Sequence, residues 1–168
     1  MNNERIYEVA KFGQALAPQA VSGTLYNGSS SGTTNNGIDL KGFDGITVLL
    51  NAGSWSSSAA CACTTVSSDT NDPATATLCT GTDGTTATFT ALSTSEKNLV
   101  QRGFVWSGIA KRYCWLKTVM TGSGDAYLAA DYVLGRGTHP PEQVRSDATW
   151  NGNTETKTVM DFVVDDSV

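Results

Sequence analysis

Apolar residues recur at every second position in several short runs of the chain, as they do in β-strands that bury one face. In the clearest run, Ile46, Val48 and Leu50 share one face, whereas Thr47 and Leu49 take the other. Runs of this kind predict strands over residues 22–26, 38–50, 60–66, 74–80, 85–92, 99–106, 113–120 and 126–134.

Clusters of turn-forming residues separate these runs. Residues 35–37 (NNG), 81–84 (GTDG) and 122–125 (GSGD) combine Gly with Asn or Asp, which tolerate a positive φ. The runs do not alternate with helical patterns, and no long-period repeat is visible. The pattern therefore predicts an all-β domain that is a sandwich, a jelly roll or a barrel.

The two ends of the chain differ from its centre. Residues 1–20 mix charged and apolar positions and fit either a short helix or an extended segment, and we interpret them as an N-terminal arm. Residues 21–141 form the predicted β domain, and residues 142–168 a polar C-terminal extension. The extension holds one apolar run, residues 159–164 (VMDFVV). It either lies on a neighbouring molecule, returns as an edge strand, or stays solvated.

The composition and the net charge disfavour nucleic acids and membranes as partners. Charged residues make up 16% of the 168 residues, and Gly, Ser, Thr and Asn take their place, as in β proteins with many turns. A net charge of −5 disfavours binding to nucleic acid and to anionic membranes. No run approaches the ~20 apolar residues of a membrane span. The polar start (MNNERIYE) lacks the apolar core of a secretory signal, so we expect assembly in a reducing cytoplasm.

The residues that carry most catalytic and metal chemistry are few. His139 is the single histidine and precedes two prolines, and no hydrolase, zincin or phosphate-loop motif is present. Asp69, Asn71 and Asp72 fit either a calcium loop or, better, a hydrogen-bonded turn. The acidic residues fall mainly in turns. We expect Asp131 to be an edge-strand charge that discourages aggregation rather than a residue that acts in glycoside hydrolysis. We expect no enzyme activity, no cofactor and no metal.

Four cysteines, Cys61, Cys63, Cys79 and Cys114, favour free buried thiols over a metal site. The spacing of Cys61 and Cys63 leaves one residue between them, which is shorter than the usual spacing in zinc sites. In a strand, these two residues would share a face.

Because no catalytic or metal site is expected, the candidate functional residues are those expected to contact a partner at the surface. Trp55 lies in a Ser-rich stretch and is the best exposed aromatic candidate for binding a protein or a glycan. Lys111 and Arg112 are the centre of a small basic patch, which fits either an acidic partner surface or ordinary solubility. Together with the apolar positions of the arm and the extension, the predicted partner-binding residues are Ile6, Phe12, Leu16, Trp55, Lys111, Arg112, Val159, Phe162 and Val163.

The order of several segments resembles that in decoration (cement) proteins of tailed-phage capsids. Residues 15–19 (ALAPQ) precede a Gly/Thr-rich loop and then residues 38–53 (IDLKGFDGITVLLNAG). Residues 108–121 (GIAKRYCWLKTVMT) give a basic pair, a Tyr and an alternating strand. Residues 122–134 (GSGDAYLAADYVL) follow with a turn and a final strand, and residues 135–141 form the exit. The Cys-rich stretch from residue 59 to 79 and the long end after residue 141 depart from that order.

The resemblance implies a jelly-roll-like antiparallel β-sandwich that binds the outside of a capsid lattice and stabilises it. The implied partners are the major capsid protein and other copies of this chain, as a homo-oligomer at symmetry axes. The expected location is the capsid surface of a virion. The alternatives are a phage tail or fibre component and a carbohydrate-binding β-sandwich module.

Overall fold

The computed structural model describes residues 10–30, 35–43, 45–55, 58–79, 100–106 and 111–135. Strands dominate this part of the chain, and its one helical element is a 3-10 turn at Pro73–Thr75. The strands are β1 (Ala10–Val21), β2 (Thr24–Tyr26), β3 (Ser29–Ser30), β4 (Ile38–Asp39), β5 (Gly45–Trp55), β6 (Ala60–Ser68), β7 (Thr77–Leu78), β8 (Val100–Trp106), β9 (Tyr113–Thr121) and β10 (Ala126–Gly135).

The strands form two antiparallel sheets. The four-stranded sheet has the order β1-β10-β5-β8, and the six-stranded sheet has the order β3-β2-β9-β6-β7, with β4 also paired to β9. Strands from the two halves of the chain pair in a nested series, in which β1 joins β10, β2 joins β9, β5 joins β8 and β6 joins β7. Nested pairing folded into two facing sheets is the jelly-roll form of a β-sandwich, so the predicted fold class is confirmed.

The core lies between the two sheets. The predicted inward face of β5 is confirmed, since Ile46 and Leu50 are fully buried and Val48 is nearly so. Opposite these aliphatic residues, the inward positions of β6 are small, polarisable or hydroxylated: Cys61, Cys63, Thr65 and Ser67. The six-stranded sheet also contributes large side chains, since Leu116 of β9 and Ile38 of β4 belong to the same core.

The sandwich begins at residue 10 rather than at residue 21. The predicted N-terminal arm extended to residue 20, but β1 pairs with β10 from Ala10 to Val21. Ala15, Leu16 and Val21 lie in the core, which fixes this segment to the sandwich. Residues 1–9 and the predicted C-terminal extension, residues 142–168, lie outside the described residues.

Two loops cover part of the outer face of the six-stranded sheet and bury Trp115 there. Its indole N–H donates to Asn36 Oδ1 at 2.9 Å. The backbone N–H of Gly37 in turn donates to Asn71 Oδ1 at 2.9 Å, so the loop after β3 is held to the loop after β6. Gly37 lies so close to the ring that a Cβ there would be 2.7 Å from Trp115 Cζ2. Trp115 has no exposed surface, although it is not part of the main core cluster.

The turn between β9 and β10 follows the prediction. Gly122 and Gly124 have φ values of +86° and +138°, which a residue with a Cβ rarely adopts. The predicted strand over residues 38–50 ended too early, because β5 continues through residues 51–55. Pairing of β5 with β10 as far as Trp55 and Ala126 maintains the strand despite its Gly and Ser content.

Candidate functional site

Two of the three exposed large hydrophobic residues in the described part of the chain lie on the outer face of the four-stranded sheet. Phe12 on β1 is 61% exposed, and Tyr127 on β10 is 53% exposed. Tyr127 alternates with the buried residues Ala126 and Leu128, so its ring points away from the core. Phe12 pairs with Val133, an outward position of β10, and therefore lies on the same face. Leu49 of β5 and Val133 of β10 occupy outward positions between them and are half-buried. We call this surface, made of Phe12, Leu49, Tyr127 and Val133, the outer sheet face.

The outer sheet face carries little charge. Among the outward positions of β5 and β10, Asp131 is the only ionisable residue apart from Tyr127. The remaining outward positions on these two strands are Gly, Ala, Thr and Asn. Aromatic residues on a surface with few charges are typical of the central parts of protein interfaces. The outer sheet face is therefore the best candidate contact surface.

Tyr127 is absent from the residues predicted to bind a partner, although the pattern in residues 126–134 contains the signal. Ala126, Leu128, Ala130 and Leu134 are buried at period two. Tyr127 is out of phase with them, so the same alternation that identifies the inward face also places this aromatic residue outside.

Of the two described candidates from the predicted arm, the structure places one on the surface and one in the core. Phe12 is on the outer sheet face, as a partner-binding residue must be. Leu16 has no exposed surface and belongs to the hydrophobic core. It therefore stabilises the sandwich and is not available to a partner, which corrects its assignment. A register shift between Gln14 and Leu16 interrupts the simple alternation along β1.

Trp55 is not the exposed platform that its Ser-rich context predicted. It ends β5 opposite Ala126 and packs against the core as a partly buried residue. Its indole nitrogen is buried and has no hydrogen-bond partner among the described residues. A ring in this position presents only part of its surface, which makes it a poor base for stacking a sugar.

Arg112 forms an ion pair and is not a free cation on the surface. Its guanidinium donates two hydrogen bonds to the carboxylate of Asp39, at 3.1 Å from Nε and 2.9 Å from the terminal nitrogen. It also lies 5.0 Å from the centre of the Tyr113 ring. The hydrogen bonds from Arg112 hold the pKa of Asp39 at about 2. Since both side chains are well exposed, this pair contributes little to stability.

Lys111, the other residue of the predicted basic patch, donates from Nζ to Thr77 Oγ1 at 2.5 Å and so bridges to β7. Lys117 lies on β9 with its ammonium 5.7 Å from the centre of the Tyr26 ring. Lys111 and Arg112 thus make local contacts within this sheet, and the predicted interaction with an acidic partner stays a prediction.

Four of the predicted partner-binding residues, Ile6, Val159, Phe162 and Val163, lie outside the described residues, as does His139.

The four thiols form two buried pairs. The sulfur atoms of Cys61 and Cys63 are 3.7 Å apart on the inward face of β6, as their spacing predicts. Cys79 and Cys114 form the second pair, between the end of β7 and β9. Hydrogen bonding to Cys79, together with burial, raises the pKa of Cys114, and the same causes raise the pKa of Cys63 beside Cys61. Such thiols act as small core residues.

The loop after β6 uses its polar side chains to hold backbone groups. Asp72 Oδ1 accepts a hydrogen bond from the backbone N–H of Ala74 at 3.0 Å and begins the 3-10 turn. Asn71 Oδ1 accepts a hydrogen bond from the backbone N–H of Gly37 in the loop after β3. These are the roles expected of a hydrogen-bonded turn. No group of three or more His, Cys, Asp or Glu residues that could hold a metal occurs in the described ranges.

In comparisons with known proteins, no protein-family model, no curated protein and no solved structure matches the chain. Within the described strands and loops, no helix has the length and hydrophobicity needed to span a membrane.

Proposed function

We propose that this chain is a structural virion protein that binds the outside of a tailed-phage capsid and stabilises it, as decoration proteins do. The observation that carries the proposal is the outer sheet face, where Phe12 and Tyr127 expose 61% and 53% of their surface on a jelly-roll sandwich. Jelly rolls serve in viral shells and in lectins, so the fold alone supports this proposal only by analogy.

The size of the exposed rings fits a contact that is repeated on a lattice. Phe and Tyr each bury about 150–250 Å² when fully enclosed. Burying the exposed parts of both rings therefore contributes roughly 5 kcal/mol, at about 25 cal/mol per Å². That gain is comparable to the free energy lost when one molecule is immobilised, so a single contact of this size gives weak binding. Several linked copies on a shell would bind far more tightly, because each further contact is made at a high effective concentration.

The expected partners follow from the same surface. The major capsid protein would contact the outer sheet face, and other copies of this chain would contact one another around a symmetry axis. The low charge of the outer sheet face means that little desolvation of ions opposes either contact. Lys111 and Arg112 lie on the other sheet and would contribute at most at the rim.

The test is a sedimentation assay with expanded, empty capsids of tailed phages. The wild-type protein should cosediment at a fixed number of copies per capsid. Tyr127→Lys should reduce binding at least tenfold, because it replaces an exposed ring of the outer sheet face with a charge that the contact would have to desolvate. Thr24→Lys is the matched control, since it adds the same charge at an exposed position of the six-stranded sheet and should bind like the wild type.

Two results would count against the proposal. One is equal binding by the Tyr127→Lys and Thr24→Lys variants, which would place the contact elsewhere. The other is a lack of binding to any capsid while labelled protein is found on phage tails or on a glycan array. These last outcomes would favour the tail-component or carbohydrate-binding alternatives.

A further inference from the structure

The edge of β1 offers an open pairing site in the described sheet. β1 ends the four-stranded sheet, and of the described strands it pairs with β10 alone. An edge strand presents backbone N–H and C=O groups that can pair with another strand. Register shifts between Gln14 and Leu16 and between Leu16 and Gln19, together with Pro18, make the second half of β1 a poor template. The regular part is therefore residues 10–14.

The side chains of this regular part differ on its two faces. Phe12 is exposed on the outer sheet face, and Lys11, also exposed, alternates with it. Lys11 is the only charged residue in residues 10–14. The ring of Tyr132 lies against Gly13 so closely that a Cβ on Gly13 would overlap it. The site thus combines an aromatic ring on each face with one positive charge.

β10 ends beside this site. Gly135, the last residue of β10, pairs with Ala10, the first residue of β1. Residues 136–158 then connect Gly135 to the apolar run, residues 159–164 (VMDFVV). A connector of 23 residues spans far more than the two strand spacings of about 5 Å each that separate β10 from a strand beyond β1.

We infer that residues 159–164 pair, as an added strand, with residues 10–14 of the same chain. Asp161 would lie beside Lys11, which matches their charges. Because side chains alternate at period two, that register places an apolar residue beside Phe12 in either strand direction: Phe162 if the strands are parallel, Met160 if they are antiparallel. Val159 and Val163 would then lie on the face of Tyr132.

Pairing within the chain is favoured over pairing between chains in dilute solution. A flexible connector of this length holds the segment at an effective concentration of about 1 mM near its own edge. A second copy at micromolar concentration competes poorly with that. The added strand would also cover an edge that otherwise risks intermolecular pairing. This inference stands independently of the proposed capsid role, since it requires no lattice.

Hydrogen exchange measured by mass spectrometry tests the inference. In the full chain, amides of residues 10–14 should exchange at least tenfold more slowly than in a chain ending at Pro141. Phe162→Pro should abolish the difference, because proline removes a backbone donor and fits poorly inside a sheet. Thr154→Pro is the matched control in the connector and should keep the protection. Equal exchange in the full and shortened chains would refute the inference.

Cross-linking separates the two possible sources of the strand. Phe12→Cys combined with Phe162→Cys or with Met160→Cys should form a disulfide under a mild disulfide oxidant such as oxidised glutathione, each pair of thiols losing two protons and two electrons to it. A cross-linked monomer in one of these pairs supports pairing within the chain, and the reactive pair gives the strand direction. A cross-linked dimer, or no cross-link in either pair beyond that of the single variants, overturns it.

Discussion

Trp115→Ala should lower the free energy of unfolding by about 4 kcal/mol, because Trp115 is completely buried outside the main core. Aromatic-to-alanine substitutions at buried sites cost about 3–5 kcal/mol, through lost burial and the cavity that remains. Here the ring also closes the contact between two loops, since its N–H holds Asn36 at 2.9 Å and its six-membered ring packs on Gly37. Trp115→Phe keeps most of the burial but leaves Asn36 Oδ1 without this donor, so a smaller loss of about 1–3 kcal/mol is expected.

The assay is urea unfolding followed by far-UV circular dichroism. With a slope of roughly 2 kcal/mol per M urea for a domain of this size, Trp115→Ala should lower the midpoint by about 2 M with little change in slope. Phe12→Ala is the matched control, because it truncates an aromatic residue that is 61% exposed and should change stability by less than about 0.5 kcal/mol.

Equal midpoint shifts for Trp115→Ala and Phe12→Ala would refute this reasoning. Such a result would mean that the covering loops contribute nothing to the stability of the sandwich. A loss for Trp115→Phe as large as that for Trp115→Ala would instead assign the effect to the hydrogen bond with Asn36 rather than to ring burial.

Three further predictions concern charge, backbone and thiols. The hydrogen bonds from Arg112 lower the pKa of Asp39 from 3.8 to about 2, so this pair stabilises the fold above pH 3.8 and the contribution is lost as the pH falls towards 2. Asp39→Asn should remove this dependence in acid titrations of stability, and the effect should be small because both side chains are exposed. Gly122→Ala should lower the melting temperature by several degrees, since φ is +86° and a Cβ would collide with the carbonyl oxygen of Ser58, whereas Gly135→Ala meets open space and should not. Ellman's reagent should titrate the four buried thiols only after unfolding, and rapid reaction of the native protein would contradict their burial.

The alternation of apolar and polar residues was sufficient to predict most of the strands. It predicted β6, β8, β9 and β10 within two residues at each end, because a strand with one face in the core must repeat at period two. The predicted strand over residues 38–50 instead divides into β4 and β5. β1 was not predicted as a strand, because this alternation is interrupted along it. Register shifts between Gln14 and Gln19 break the alternation along β1, so the segment looked like an arm.

The candidate contact residues were predicted less well than the strands. Trp55 was expected in an exposed loop, yet pairing with β10 extends β5 to that residue and half-buries the ring. Leu16 was expected on a surface and is in the core. In both cases the burial of one side chain depends on a partner strand that is distant in sequence, and a local pattern does not contain that information.

The sequence by itself determined that this chain is all-β, where most strands and turns lie, and that Cys61 and Cys63 share a face. These features follow from local rules, namely period-two alternation and the backbone preferences of Gly and Asn. Only the tertiary structure decided the nested strand order, the burial of Trp115 beneath two loops, and the placement of Phe12 and Tyr127 on the same sheet. Those features arise from contacts between residues far apart in the chain, whose free energies depend on which surfaces the fold brings together.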